Sequence, residues 1–509
     1  MIDKTLPLHM NQNAMSNLKF QKRAKIFYNG IFMTNYNLNK TRMENRTKRD
    51  VSFLNLLSDF ETNFEKGNCL LYEEKTYLEI IRFYEEEFQY DKAIEVVDIA
   101  ITQFAYSPDF LIIKARLLFQ TNFHEEALLL LNKAEKISPY EHDILLLKIR
   151  ILAFQGNINE AKNILDDMKR YVSSNDLSDV YLSESFINEF LQNYEGMYDD
   201  LTKAVISDLE NEEALERLGF AVQLCKNFEQ SIEFHKMIIN ERPFNYLAWY
   251  NLGHALASQG EYQDAINALE YSFITEANYS SGYLDCADIC IQEKDFLRAL
   301  NIYESYTDVF GINEEVLINM AECQYQLNNV NKARILLSKL LKLDPYNDEV
   351  YFKLGLCYVK AEKWTKAINA FHKAITLEDK CEDYFFYMAH CHKALGGHQK
   401  AEFFFSKAVS LEPEQSLYWR DYVAFLLKVG KKQEALQVFD HADNFTFGAD
   451  LLFCKAVALH QNGEIKKALS TFEEGLMEDF SQHEIIFEIE PELMLNSDLK
   501  SMISYYKEE

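Results

Sequence analysis

The sequence predicts an all-α protein, a solenoid of stacked helical hairpins, and three observations carry that expectation. Alanines recur every 34 residues at 93, 127 and 161, and again at 265, 299, 333, 367, 401 and 435, with a last step of 33 to Ala468. A period of that length is one helix–turn–helix unit, which cannot bury its apolar face alone and must stack on its neighbours. The composition agrees: 48% hydrophobic residues with 16 Gly and only 7 Pro suit continuous helices better than strands or loops. Large apolar residues also fall at helical spacing within each period. The 509 residues therefore count repeats rather than several compact domains.

Taken in order, residues 1–48 show no periodicity, are rich in Asn and Lys, and read as a disordered basic extension, with Met43 a plausible natural start. Val51 to Phe64 reads as an amphipathic helix with Phe53, Leu54, Leu57, Phe60 and Phe64 on one side, a cap over residues 49–73. Twelve units follow over residues 74–482, starting near 74, 108, 142, 178, 212, 246, 280, 314, 348, 382, 416 and 449. The unit at 178 is the weakest. Met197 replaces its small residue, Glu184 and Ser185 take core slots, and two extra residues precede it around Val172–Asn175, so a local irregularity is expected there. Residues 483–509 read as one or two short capping helices.

Each slot of the repeat has a physical reason. A small residue at position 8 (Gly219, Gly253, Ala287, Ala321, Gly355, Ala389) lets the first helix, A, approach the second, B, and the small residue at position 20 does the same from B. Apolar residues at positions 4, 7, 11, 17 and 24 fill the remaining space. Pro139, Pro243, Pro345 and Pro413 end helix B. Trp249, Leu252, Gly253, Tyr262 and Ala265 fall in one register, and Tyr351, Leu354, Gly355, Ala367 and Phe371 repeat it. In that register the chain resembles the tetratricopeptide-repeat (TPR) family. The resemblance implies a right-handed superhelix whose inner groove is lined mainly by helix A positions 2, 5, 6, 9, 12 and 13.

Charge narrows the partners. Residues 1–50 hold ten Lys/Arg against three Asp/Glu, so the net −28 of the chain leaves −35 on the remainder. Such a body repels phosphate backbones, which disfavours nucleic acid and anionic membrane and points to a basic or neutral polypeptide. No 18-residue apolar run and no secretory leader pattern are expected, and nine scattered cysteines without CxxC pairs fit a reducing compartment, taken as the cytoplasm.

The implied inner positions supply the candidate site. Position 6 reads Arg217, Asn251, Asp285, Asn319 and Lys353 through the central repeats, and position 9 reads His254, Asp288, Glu322 and His390. Tyr250, Phe352, Phe386 and Tyr325 are expected to add aromatic surface. Asn251 and Asn319 can grip a peptide main chain, since an amide offers both donor and acceptor. The acids Asp285, Asp288 and Glu322 would repel a terminal carboxylate, so the family's clamp for acidic C-termini is disfavoured. Cys323, Cys357 and Cys391, one repeat apart, read as packing, and no cofactor or metal is expected. His390 is expected in the groove and His392 in the core. No GxSxG or P-loop is present, and the leading reading is a non-catalytic scaffold or adaptor.

Overall fold

The computed structural model describes residues 51–65, 71–139, 141–173 and 176–508. The basic extension expected over residues 1–48 lies outside them, as do residues 174 and 175 of the expected insertion. Among the described residues there are 27 α-helices and no strand. Twenty-four of these helices form twelve consecutive hairpins, whose A helices start at Glu74, Pro108, His142, Leu177, Glu212, Tyr246, Ser280, Glu314, Asp348, Glu382, Ser416 and Ala449. The chain divides into two compact units, one ending at Gly311 and the other beginning at Ile312.

One backbone rule closes every hairpin. The fifteenth residue of each repeat, between helices A and B, is left-handed, with φ running from 55° at Glu362 to 85° at Gly463. That conformation lets the following amide reach back to close helix A: Glu261 N–H bonds to Leu256 O at 3.0 Å, and Lys363 N–H to Tyr358 O at 2.8 Å. Gly supplies it freely at Gly156, Gly260, Gly396, Gly430 and Gly463, whereas Phe88, Gln192, Lys294 and Glu362 adopt it against their side-chain preference.

In the first unit the helix Val51–Glu65 packs Leu57 and Phe60 onto the opening hairpin, and Tyr84 Oη donates to Glu61 Oε1 at 2.9 Å. Leu54 and Phe64, expected on the buried side, are exposed. In the hairpin at Leu177, Ser185 is buried and its hydroxyl donates to Leu182 O, while Met197 is fully buried. Glu184, in a nominal core slot, is paired with Lys169 at 2.5 Å. Asparagines cap several A helices and also tie repeats together. Asn245 Oδ1 accepts from Ala248 N–H at 2.9 Å, and its Nδ2 donates to Leu209 O at 2.9 Å in the preceding repeat.

In the second unit, Gly355 is required because the Phe371 ring of helix B fills the space a Cβ would take. At Gly219 of the first unit the expected reason is different: the neighbour is Asn251 of the next A helix, not helix B. After the last hairpin, helices Ile485–Ile489 and Ser497–Glu508 lay Ile486, Ile489 and Leu499 against its end. Each such buried aliphatic side chain contributes about 1.5–3 kcal/mol of transfer free energy.

Candidate functional site

The A helices place the sequence-derived residues in two sets, one in each unit. In the first, the helix Tyr246–Ser258 carries Tyr250, Asn251 and His254, and Ser280–Gln292 carries Asp285 and Asp288. Tyr250 Oη donates to Asp285 Oδ2 at 2.5 Å, and His254 Nε2 lies 3.1 Å from the same oxygen. Desolvation first, and then the Asp285 charge, hold the Tyr250 hydroxyl well above its ordinary pKa, so it remains a donor. Asp288 accepts from Tyr303 Oη at 3.2 Å. Asn251 behaves otherwise. It is only 5% exposed, and its Nδ2 donates to Leu215 O at 2.8 Å. The amide read as a peptide grip joins adjacent A helices instead.

Three residues outside the sequence-derived set complete this cluster. The Tyr279 ring lies 4.8 Å from Tyr246 and 5.0 Å from Tyr250, the second contact edge-on at 89°. Glu216, on the helix Glu212–Cys225, adds its charge to the surroundings of Tyr246 and Tyr279, and Glu212 and Glu213 help to raise its own carboxyl above the ordinary carboxylate range. Tyr246 and Tyr279 fall at repeat positions 1 and 34, outside the family's groove positions. The signal that could have found Tyr279 is the loss of an asparagine, since Asn211, Asn245, Asn313 and Asn347 stand at the same place in neighbouring repeats.

The second unit neutralises its own strip. Lys353 Nζ reaches Glu322 Oε2 at 3.1 Å and Glu349 at 3.7 Å, and Gln326 Nε2 donates to the other Glu322 oxygen at 2.8 Å. Lys353 holds Glu322 below its ordinary pKa although desolvation, the largest influence, acts the other way. Asn319 is half-buried. Phe352, expected as groove surface, is 5% exposed and packs on Tyr384 at 4.9 Å and Phe371 at 5.7 Å; Phe386 and Tyr325 are buried as well. Bulky residues at position 5 find apolar neighbours in the adjoining repeat, which the lone-helix view of the groove omits.

The two histidines depart from their expected places. His390 is buried, with Nε2 3.0 Å from Asp421 Oδ2 and Phe386 and Phe405 edge-on to its ring. Burial lowers its pKa while Asp421 opposes that shift. His392 is half-buried, stacked on Phe404 at 5.4 Å. Cys323, Cys357 and Cys391 are buried thiols. Among the described residues no three His, Cys, Asp or Glu side chains are placed to hold a metal ion. No described helix is long and apolar enough to cross a membrane.

Three family models match this array. The model for anaphase-promoting complex, cyclosome, subunit 3 matches residues 328–408, and two tetratricopeptide-repeat models match residues 290–351 and 233–281. The chain is a tetratricopeptide-repeat protein. This TPR chain is 24% identical over 205 residues, 40% of its length, to the Protein CTR9 homolog of Arabidopsis thaliana, of which the match spans only 17%. Among solved structures, Cut9 in the APC/C hetero-tetramer Cut9–Hcn1 is similar over 85% of this chain and 87% of that one, at 14% identity and a TM-score of 0.35. Yeast Tom70 is similar over 85% of this chain and all of that one, at 16% identity and a TM-score of 0.38.

Proposed function

We propose that this TPR protein is a non-catalytic scaffold or adaptor that binds a basic or neutral polypeptide along the A-helix groove of its first unit. One observation supports this reading above the rest. Asp285 is held in place on the A-helix face by Tyr250, whose hydroxyl donates to it, and by His254 at 3.1 Å from the same oxygen. A positioned carboxylate on a helix face favours a cationic partner, and the tyrosine beside it offers low-entropy anchoring surface. In the second unit Glu322 and Lys353 cancel each other, so that strip offers shape more than charge.

A second reading has its own support: a regulatory or substrate-recruiting subunit of an enzyme complex. The family model that matches residues 328–408 is that of a subunit of the anaphase-promoting complex, and a TPR array is suited to joining such assemblies. Affinity capture with mass spectrometry, comparing wild type with Asp285→Asn/Asp288→Asn of unchanged melting temperature, tests the groove reading. A partner lost from the variant supports it; the same partners in the same yield contradict it and leave the complex-subunit reading to be pursued.

A further inference from the structure

Net charge conceals a local reversal in the second unit. The chain carries −28, yet the B helices of the eighth, ninth and tenth hairpins, Val330–Leu343, Trp364–Leu377 and His398–Leu411, hold four, two and two Lys/Arg against a single acid, Glu402. Glu402 is itself paired with Lys431 at 3.0 Å. In the first unit, by contrast, the B helices Tyr262–Thr275 and Phe296–Phe310 hold one Lys/Arg against four Asp/Glu. Arg334 lies over the Tyr358 ring at 4.9 Å and Lys373 over Tyr351 at 5.0 Å. Those rings stand two turns apart on the helix Asp348–Lys360, so the two cations share one side of it.

An apolar depression lies among these helices. Its volume of about 430 Å³ falls within the range of about 300–1,000 Å³ usual for ligand sites, and its walls include Ile368, buried Met388, Phe403 and Phe404. Phe403 is 55% exposed and meets Phe404 at 5.2 Å, while the Phe404 ring stacks on His392 at 5.4 Å. Burial first, and then the Lys400 charge, lower the His392 pKa, so that wall stays uncharged at neutral pH. Lys400, Phe403, Phe404 and Lys407 fall at i, i+3, i+4 and i+7, a single stripe of the helix His398–Leu411, and both lysines are exposed. No Asp or Glu lines the depression, and among the described residues no carboxylate stands within 4 Å of either lysine.

We propose that this depression docks an acidic segment of a polypeptide partner, with an apolar side chain entering beside Phe403 and carboxylates on either side of it pairing with Lys400 and Lys407. The site is independent of the A-helix groove of the first unit and takes a partner of opposite charge. Its half-exposed aromatic edge suits a side chain that enters from a larger body left outside, and aromatic residues and Met are the groups that anchor such contacts. A continuous polyanion would also use the lysines, but its length would carry it over the acidic remainder of the chain, which repels it. A short acidic segment feels chiefly the charges within a Debye length of about 8 Å.

Fluorescence anisotropy on the full chain tests this with nonapeptide pools that carry a neutral dye. In the acidic pool the centre is Leu or Phe and the flanking positions are Asp, Glu, Ser or Gly. The neutral pool replaces the acids by Asn and Gln, and a third pool keeps the acids but fixes the centre as Ala. An exposed ion pair is worth up to about fivefold in affinity and a buried apolar side chain about tenfold or more. Wild type is therefore expected to bind the acidic pool about tenfold more tightly than either of the others. Lys400→Gln/Lys407→Gln should bring the acidic and neutral pools level, and Phe403→Ser should bring the acidic pool level with the Ala-centred one. All three positions are exposed, so both variants should keep the wild-type melting temperature. Equal binding of the acidic and neutral pools by wild type, a preference undiminished in both variants, or no binding of any pool overturns the site. Tighter binding of a short single-stranded RNA, lost in the lysine variant, also overturns it and assigns the face to nucleic acid.

Discussion

Asn251 and Gly219 form an interlocked pair on consecutive A helices. The amide oxygen of Asn251 stands well inside 3.0 Å of the point where a Cβ on residue 219 would lie, and its Nδ2 holds Leu215 O at 2.8 Å. The bond ties a carbonyl in the first turn of one A helix to the next A helix, so both residues serve the stacking of hairpins.

The two substitutions should therefore fail to add. Gly219→Ala gains about 1 kcal/mol of helix propensity but forces Asn251 aside at a cost of about 1–3 kcal/mol, giving net destabilisation. In an Asn251→Ala background the clash disappears, and Gly219→Ala should stabilise by about 1 kcal/mol. Urea denaturation of the four proteins in the cycle checks the change of sign.

The left-handed turn residue gives a second expectation. Gly260→Ala places a side chain at φ 84° with nothing within 4 Å of the new Cβ, so its loss of about 1 kcal/mol is purely backbone strain. Glu362→Gly at φ 55° relieves the same strain and should raise stability by up to about 1 kcal/mol, offset in part by the freer unfolded chain. Thermal melts of both variants read the opposite signs.

These residues mark how much was legible beforehand. The 34-residue beat placed the hairpins because packing slots recur with the fold, and Gly355 opposite Phe371 is such a slot. What the beat could not show is what a side chain meets in the adjoining repeat. Asn251, Phe352 and His390 occupy nominal groove positions yet are buried by neighbours 31 to 36 residues away, such as Leu215 and Asp421. Lys353 cancelling Glu322 is likewise a relation between repeats. Tyr250, His254 and Asp285 do meet, but Tyr246 and Tyr279 join them from places the repeat pattern did not mark.

His235 should make the first unit sensitive to mild acid. It is fully buried, its Nδ1 lies 2.8 Å from Ser231 O, and burial lowers its pKa from 6.5 to about 4 against that hydrogen bond. The native state thus binds its proton less readily than the unfolded chain. The stability conferred by neutral His235 is complete above pH 6.5 and is lost as pH falls from there towards 4. Between pH 7 and pH 5 the loss is about 2 kcal/mol. His235→Leu should remove that part of the pH dependence, read from urea midpoints at the two values.

Photo-crosslinking from two positions puts the groove assignment to the sharpest trial. A benzoylphenylalanine at position 216 lies on an A helix of the first unit, whereas one in place of the exposed Phe403 lies on a B helix of the second unit. Irradiation in the native extract, followed by sequencing of the captured peptides, should yield from position 216 a captured polypeptide that position 403 does not capture. Capture of that polypeptide from position 403 alone would contradict the assignment of binding to the A-helix face.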